Sequence, residues 1–215
     1  KFSFYFLKIN KMKIGLVDLN TGNLTSLQSA LNKLNLKFKI CKNSFDFEGV
    51  DKIILPGVGA FKDFIKKFNT SGIDKIILSK IEKKIPILGI CVGFQVLFSD
   101  STEHGFSKGL DILKGNIVSF TEFKKDIRVP HVGWNECKIR KDNNLFYGIE
   151  DKSDFYFTHT YHLKKCSENI VISESNYYTK FVSAINYENI YGVQFHPEKS
   201  QLNGLKIIKN FYERC

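Results

Sequence analysis

The sequence predicts an α/β protein, a single domain on a central mixed, mostly parallel sheet flanked by helices. Three observations predict it. Short apolar runs alternate with helical patterns from Met12 onward; the run IPILGIC (85–91) passes directly into a helical pattern, VGFQVLF (92–98); and after Gly109 the chain turns to aromatic and β-branched runs separated by turn residues. Strands that alternate with helices imply parallel neighbours joined by crossover helices, whereas strand following strand implies antiparallel pairing.

In order, residues 13–19 (KIGLVDL) read as the first strand, and Leu24, Leu27, Leu31 and Leu34 then recur at helical spacing over a lysine- and asparagine-rich outer face. Phe38 and Ile40 mark a second strand and residues 52–55 a third. Residues 73–85 read as a helix with Ile76, Ile77 and Ile81 inward. The later strands are expected at 117–120, 137–139, 155–161, 181–187 and 191–195, with a closing helix over about 202–212. No repeat, low-complexity tract or linker divides the chain, so residues 12–215 read as one domain.

The chain has 215 residues, 43% hydrophobic and 25% charged, which excludes disorder, collagen and coiled coil. A chain of this size buries about 70% of its unfolded surface and needs neither disulfide nor metal to fold. No apolar run reaches the roughly 20 residues that span a bilayer, so no membrane role is expected. The 32 basic residues against 22 acidic ones give a formal charge of +10. Only Arg128, Arg140 and Arg214 are arginines, and the lysines are spread along the chain; with no nucleic-acid-binding signature, the charge reads as solvated surface and no nucleic-acid partner is expected. The cysteines Cys41, Cys91, Cys137, Cys166 and Cys215 are odd in number and far apart with no CxxC, which points to a reducing, cytoplasmic setting and to no metal site. Residues 1–11 precede Met12, the sole methionine, and read as an N-terminal extension outside the fold.

Three patterns carry chemistry. Gly89-Ile90-Cys91-Val92-Gly93 lies between a strand and a helix, the arrangement in which flanking glycines let a tight turn project a nucleophile. A helix directly behind Cys91 favours thiolate; the other reading is a small buried cysteine in a glycine turn. His196-Pro197-Glu198 follows an apolar strand, and a nucleophilic cysteine needs such a base with an orienting carboxylate. Alone, His196 also reads as a surface histidine in a proline turn. Pro56-Gly57-Val58-Gly59 follows the third strand and could present N–H groups to an oxyanion, or simply turn the chain.

GICVGFQ (89–95) with QFHPEKS (194–200) resembles the class I glutamine amidotransferases. Four further segments, DLNTGNLTS (18–26), PGVGAF (56–61), PHVGWN (130–135) and YFTHTY (156–161), resemble within that family the glutaminase subunits that serve the imidazole glycerol phosphate step of histidine biosynthesis. The resemblance runs from Met12 to the C-terminus. It implies a glutaminase in which Cys91 attacks the glutamine amide, His196 shuttles protons and Glu198 orients it. By the same resemblance Val58 and Val92 supply the oxyanion hole, and Gly59, Gln95, Thr160 and Tyr161 hold glutamine. It implies no cofactor, and a heterodimer with a barrel cyclase that receives ammonia through a channel. His131, Trp134 and Asn135 match a segment on the partner-facing side; Trp134 reads equally well as core. The chain departs from the pattern at Leu19, Thr160 and His162, which leaves open a related glutaminase subunit serving an enzyme that aminates a surface-sugar precursor.

Overall fold

The computed structural model describes residues 12–20, 24–123 and 126–215. The expected extension 1–11 lies outside them, as does Asn23, a residue type that suits a helix N-cap and stands just before Leu24 in the sequence. Within the described residues the strands are β1 (Ile14–Val17), β2 (Phe38–Cys41), β3 (Lys52–Gly57), β4 (Ile87–Cys91), β5 (Asp100–Ser101), β6 (Ser107–Lys108), β7 (Asn116–Ser119), β8 (His131–Ile139), β9 (Ser153–His159), β10 (Tyr161–Leu163), β11 (Val171–Tyr177), β12 (Thr179–Tyr187) and β13 (Ile190–Val193). The helices are α1 (Thr25–Lys33), α2 (Phe61–Ser71), α3 (Ile73–Glu82), the single turn α4 (Val92–Gln95) and α5 (Gln201–Arg214).

Nine strands form one sheet in the order β2-β1-β3-β4-β13-β12-β11-β8-β9, and β10-β7-β5-β6 form a second, small one. The main sheet is mixed, as expected. Its parallel pairings run from β2 to β13 and its antiparallel ones from β13 to β9, four of each, so it is not mostly parallel. The helices that enforce parallel crossovers belong to the first half, and from β7 to β13 the described residues offer only turns and single-turn 3-10 segments between strands. β4 lies between β3 and β13, parallel to both, and is buried along its whole length. That double burial is why it reads as an unbroken apolar run rather than an alternating one.

The helices cover the sheet with apolar stripes. α1 buries Leu27, Ala30 and Leu31, and α2 buries Phe61, Phe64, Ile65 and Phe68, both at i, i+3/i+4 spacing. Each large apolar side chain so removed from water contributes about 1.5–3 kcal/mol. α3 buries Ile73 and Ile77, with Ile76 and Ile81 packed partly against the core. The expected helix over 92–98 stops after one turn: the carbonyls of Val96 and Phe98 instead accept from Leu110 and Asp111, tying the chain to the following loop.

Candidate active site

The parallel register of β4 and β13, with Ile90 opposite Val193, brings their C-terminal ends side by side. Cys91 ends one and His196 follows the other, so residues far apart in the chain meet at one edge. Cys91 has φ 53° and ψ −113°, the tight elbow that aims its side chain away from both strand and turn. The elbow closes only because its neighbours lack side chains: a Cβ on Gly93 would lie 1.9 Å from the Leu55 carbonyl oxygen, and one on Gly57, which stands opposite Cys91, would lie 2.4 Å from the Gly93 nitrogen.

His196 is 2% exposed and is held from both sides. Its backbone N–H donates to Tyr156 O at 2.8 Å, and its carbonyl accepts from Ser200 Oγ at 2.6 Å. Pro197 opens a 3-10 turn that swings Glu198 back, placing Oε1 2.8 Å from His196 Nδ1. Nε2 is buried and makes no hydrogen bond. Burial opposes charge on this ring, but the Cys91 sulfur and the Glu198 carboxylate outweigh it and push its pKa up to about 10. The imidazole is therefore poised to carry a proton beside the sulfur.

The sulfur itself lies 3.7 Å from the Nε2 of Gln194, which donates to it, and 4.0 Å from Thr158 O. With α4 only one turn long, these neighbours replace the extended helix that the sequence placed behind the cysteine. The sequence offered Gln194 only as part of the QFHPEKS resemblance.

Cys91 and His196 open into a cleft of about 270 Å³. Val58, Gly59, Val92 and Gln95 line it from the elbow side, Thr160 and Tyr161 from the side of β10. All the expected oxyanion and glutamine-binding residues thus border one cavity with the nucleophile. Glu198 lies behind His196, against a narrow second cavity shared with Asp18 and Val58. Gln95 is buried, and its Nε2 donates to Tyr161 O at 2.9 Å and Gln194 Oε1 at 3.0 Å, so this side chain braces the wall. Gly59 has φ +94°, and a Cβ placed on it would meet nothing within 4 Å, so it is the left-handed backbone and not crowding that suits this open turn to glycine.

Two titratable wall residues escaped sequence reasoning. Glu103 lies in the turn-rich tract between β5 and β6, and its Oε2 accepts the Phe61 N–H at 2.6 Å, capping α2 from across the cleft. It brings a carboxylate to the cavity; the only sequence signal was an acidic residue without a periodic context. His159 closes the base of the cleft inside a cluster with His131, His162 and Phe120. Burial holds His131 and His162 down to about 4 and His159 well below the ordinary histidine value, so all three rings are neutral.

Strand alternation sorts the PHVGWN segment: His131 is buried and faces this cluster, while Val132 and Trp134 are exposed, with Trp134 47% exposed and not core. The departure His162 stacks on Phe120 at 4.3 Å, filling the place of an aromatic. No group of three or more His, Cys, Asp or Glu among the described residues is placed to hold a metal ion, and no described helix is long and apolar enough to cross a membrane.

The sequence profile for "Glutamine amidotransferase class-I" matches residues 15–215. The chain belongs to the class-I glutamine amidotransferase family. Relatives within this amidotransferase family include a protein of Methanocaldococcus jannaschii, 44% identical over 93% of this chain and 98% of its own length, and one of Leptospira borgpetersenii, 42% identical over 92% and 98%. Both carry the name "Imidazole glycerol phosphate synthase subunit HisH", as does a Pyrococcus furiosus protein at 42% identity over 93% of this chain and 97% of its own. Among solved structures, PurLQS from Thermotoga maritima superposes with a TM-score of 0.72 at 17% identity, covering 94% of this chain and 97% of that one. A glutamine amidotransferase of the same organism superposes with a TM-score of 0.63 at 16% identity, covering 87% and 76%. These two likenesses are of fold.

Proposed function

We propose that this amidotransferase is the glutaminase subunit of an imidazole glycerol phosphate synthase, hydrolysing glutamine to glutamate and ammonia for a cyclase partner in histidine biosynthesis. The observation that carries the reading is the meeting of Cys91 and His196 at one cleft, with Glu198 bonded to the far side of the imidazole, in a chain whose relatives of nearly equal length bear that subunit's name.

The chemistry follows from the geometry. Cys91 Sγ attacks the side-chain amide carbon of glutamine, and the carbonyl oxygen becomes an oxyanion that the Val92 N–H and a backbone N–H at Val58 receive. His196 Nε2 gives its proton to the departing nitrogen, ammonia leaves, and a γ-glutamyl thioester remains on Cys91. Water then attacks the thioester while His196 accepts its proton, releasing glutamate and restoring the thiol. Glu198, bonded to Nδ1, fixes the ring's tautomer and stabilises its charge. Gly59, Thr160 and Tyr161 line the part of the cleft suited to the amino-acid end of glutamine, and Glu103 supplies a counter-charge for its ammonium.

The partner is a barrel cyclase that takes the ammonia through a channel, in a cytoplasmic heterodimer. Glutamine hydrolysis by the purified chain with and without its co-purifying partner tests this. Hydrolysis that rises when a cyclase subunit is added supports the reading; co-purification with a sugar-aminating synthase instead would overturn the choice of pathway and leave the glutaminase chemistry.

A further inference from the structure

One hydrogen-bonded chain runs from the edge of β8 to the nucleophile. Asn135 Nδ2 donates to Asn176 O at 2.9 Å, an oxygen that can only accept, which fixes the amide nitrogen on that side. The same nitrogen lies 3.2 Å from His131 Nε2, so Nε2 accepts and His131 carries its proton on Nδ1. That Nδ1 lies 3.1 Å from His159 Nε2, which must accept in turn, leaving the His159 proton on Nδ1, 2.9 Å from Tyr161 O. The Tyr161 carbonyl takes its second hydrogen bond from Gln95 Nε2. The other hydrogen of Gln95 Nε2 goes to Gln194 Oε1, and Gln194 Nε2 points at the Cys91 sulfur. A single arrangement of protons satisfies every link.

We infer that His131 and His159 are positioning residues for the glutaminase reaction: a neutral, tautomer-locked pair that orients Gln95 and Gln194 and so aims a donor at the Cys91 sulfur. They touch no reacting atom. Their part is directional, because the Tyr161 carbonyl accepts from His159 only while Nδ1 carries the proton, and a carbonyl so held fixes which way the Gln95 amide turns. The register supports it: His131 and His159 are direct cross-strand partners in β8 and β9, so backbone pairing sets the ring-to-ring contact. All four side chains between Asn135 and Cys91 are buried, so a lost link leaves a buried polar group short of a partner.

The inference rests on the glutaminase reading, but its test need not. Two substitutions at each histidine separate polar from packing roles. Phe keeps a ring in the aromatic cluster, where His131 stacks on Tyr177 at 4.1 Å and Phe157 at 5.0 Å, but has no N–H. Asn loses the ring but places an amide N–H where Nδ1 stood. The measurement is the rate of Cys91 alkylation by iodoacetamide at pH 7, followed by peptide mass spectrometry on the full chain, with melting temperatures recorded alongside. His159→Phe and His131→Phe are expected to slow alkylation severalfold, because the donor aimed at the sulfur is no longer held, at a near-native melting temperature. His159→Asn and His131→Asn recover the rate to within about twofold of the parent. Phe variants that react like the parent, or Asn variants slower than Phe, would overturn the inference and leave the histidines as packing. Absence of glutamine hydrolysis in the parent complex would strike the glutaminase reading alone.

Discussion

Glu198 Oε1 sits 2.8 Å from His196 Nδ1, and this leaves Nε2 of the same ring, buried and without a hydrogen bond, on the side of the Cys91 sulfur. The Cys91 sulfur and the Glu198 carboxylate together push the ring's pKa up to about 10 against the effect of burial. Replacing Glu198 with Gln keeps an acceptor for Nδ1 but removes the charge. The His196 pKa should fall, read from the imidazole NMR shifts across pH, and kcat should fall by about 10²-fold. The folded value exceeds the unfolded one near 6.5, so the charged ring's stabilisation is complete below pH 6.5 and is lost as pH rises towards 10. Denaturant melts of Glu198→Gln should lose less stability over that window than the parent.

Among the described residues that line the cleft, Cys91 carries the only thiol. Cys91→Ala should abolish glutamine hydrolysis in the presence of the partner while leaving the melting temperature within a few degrees, since the substitution adds no atom to the elbow. Retained glutamine-dependent activity would exclude the thioester route.

Gly93 should tolerate no side chain. In Gly93→Ala the new methyl meets the Leu55 carbonyl, a backbone atom held in the centre of the sheet, and cannot move aside. A destabilisation of about 3 kcal/mol is expected in urea unfolding, at the upper end of typical overpacking costs.

Glu103→Gln keeps an acceptor for the Phe61 N–H and so preserves the cap on α2. It removes the negative charge from the cleft. The glutamine KM should rise about tenfold or more with kcat little changed, the signature of lost ground-state binding. A glutamine analogue without its α-amino group should show no such difference between the two proteins.

His162 offers a test of burial. Its Nε2 is enclosed without a hydrogen bond, and burial lowers its pKa to about 4. A histidine whose folded pKa lies below the unfolded value contributes stability above pH 6.5 that is lost as pH falls through about 4. His162→Phe keeps the stack on Phe120 and cannot take up a proton. Its melting temperature should exceed that of the parent, by more at pH 4.5 than at pH 7.5.

What the sequence revealed depended on how plainly each segment displayed its environment. β4 and β13 were legible because strands buried on both faces are apolar throughout. β11 was not: its inward residues include Ser173 and Ser175, which are buried because Ser173 bonds Ser183 at 2.7 Å and Ser175 lies 3.4 Å from the Cys137 sulfur. Polar residues that satisfy one another inside a sheet invert the alternation that marks a strand. α2 is masked in the sequence although Phe61, Phe64, Ile65 and Phe68 keep helical spacing, because the glycine segment before it reads as a turn. The cysteine and histidine motifs were legible as local patterns, and the sheet register joined them. Glu103 and the path from Asn135 to Gln194 were not, since they exist only where distant segments touch.

The close approach at Gly57 bears on the segment that follows it. On one side the chain is clamped, with Gly57 packed against the Gly93 backbone; on the other, the Phe61 N–H is tied to Glu103. Only Val58, Gly59 and Ala60 lie between these two anchors. Any change of backbone direction there must be a crankshaft turn of three residues about fixed ends. The backbone N–H groups of this segment, where the proposed oxyanion donor lies, can therefore turn towards or away from the cleft without disturbing the sheet or the helix on either side.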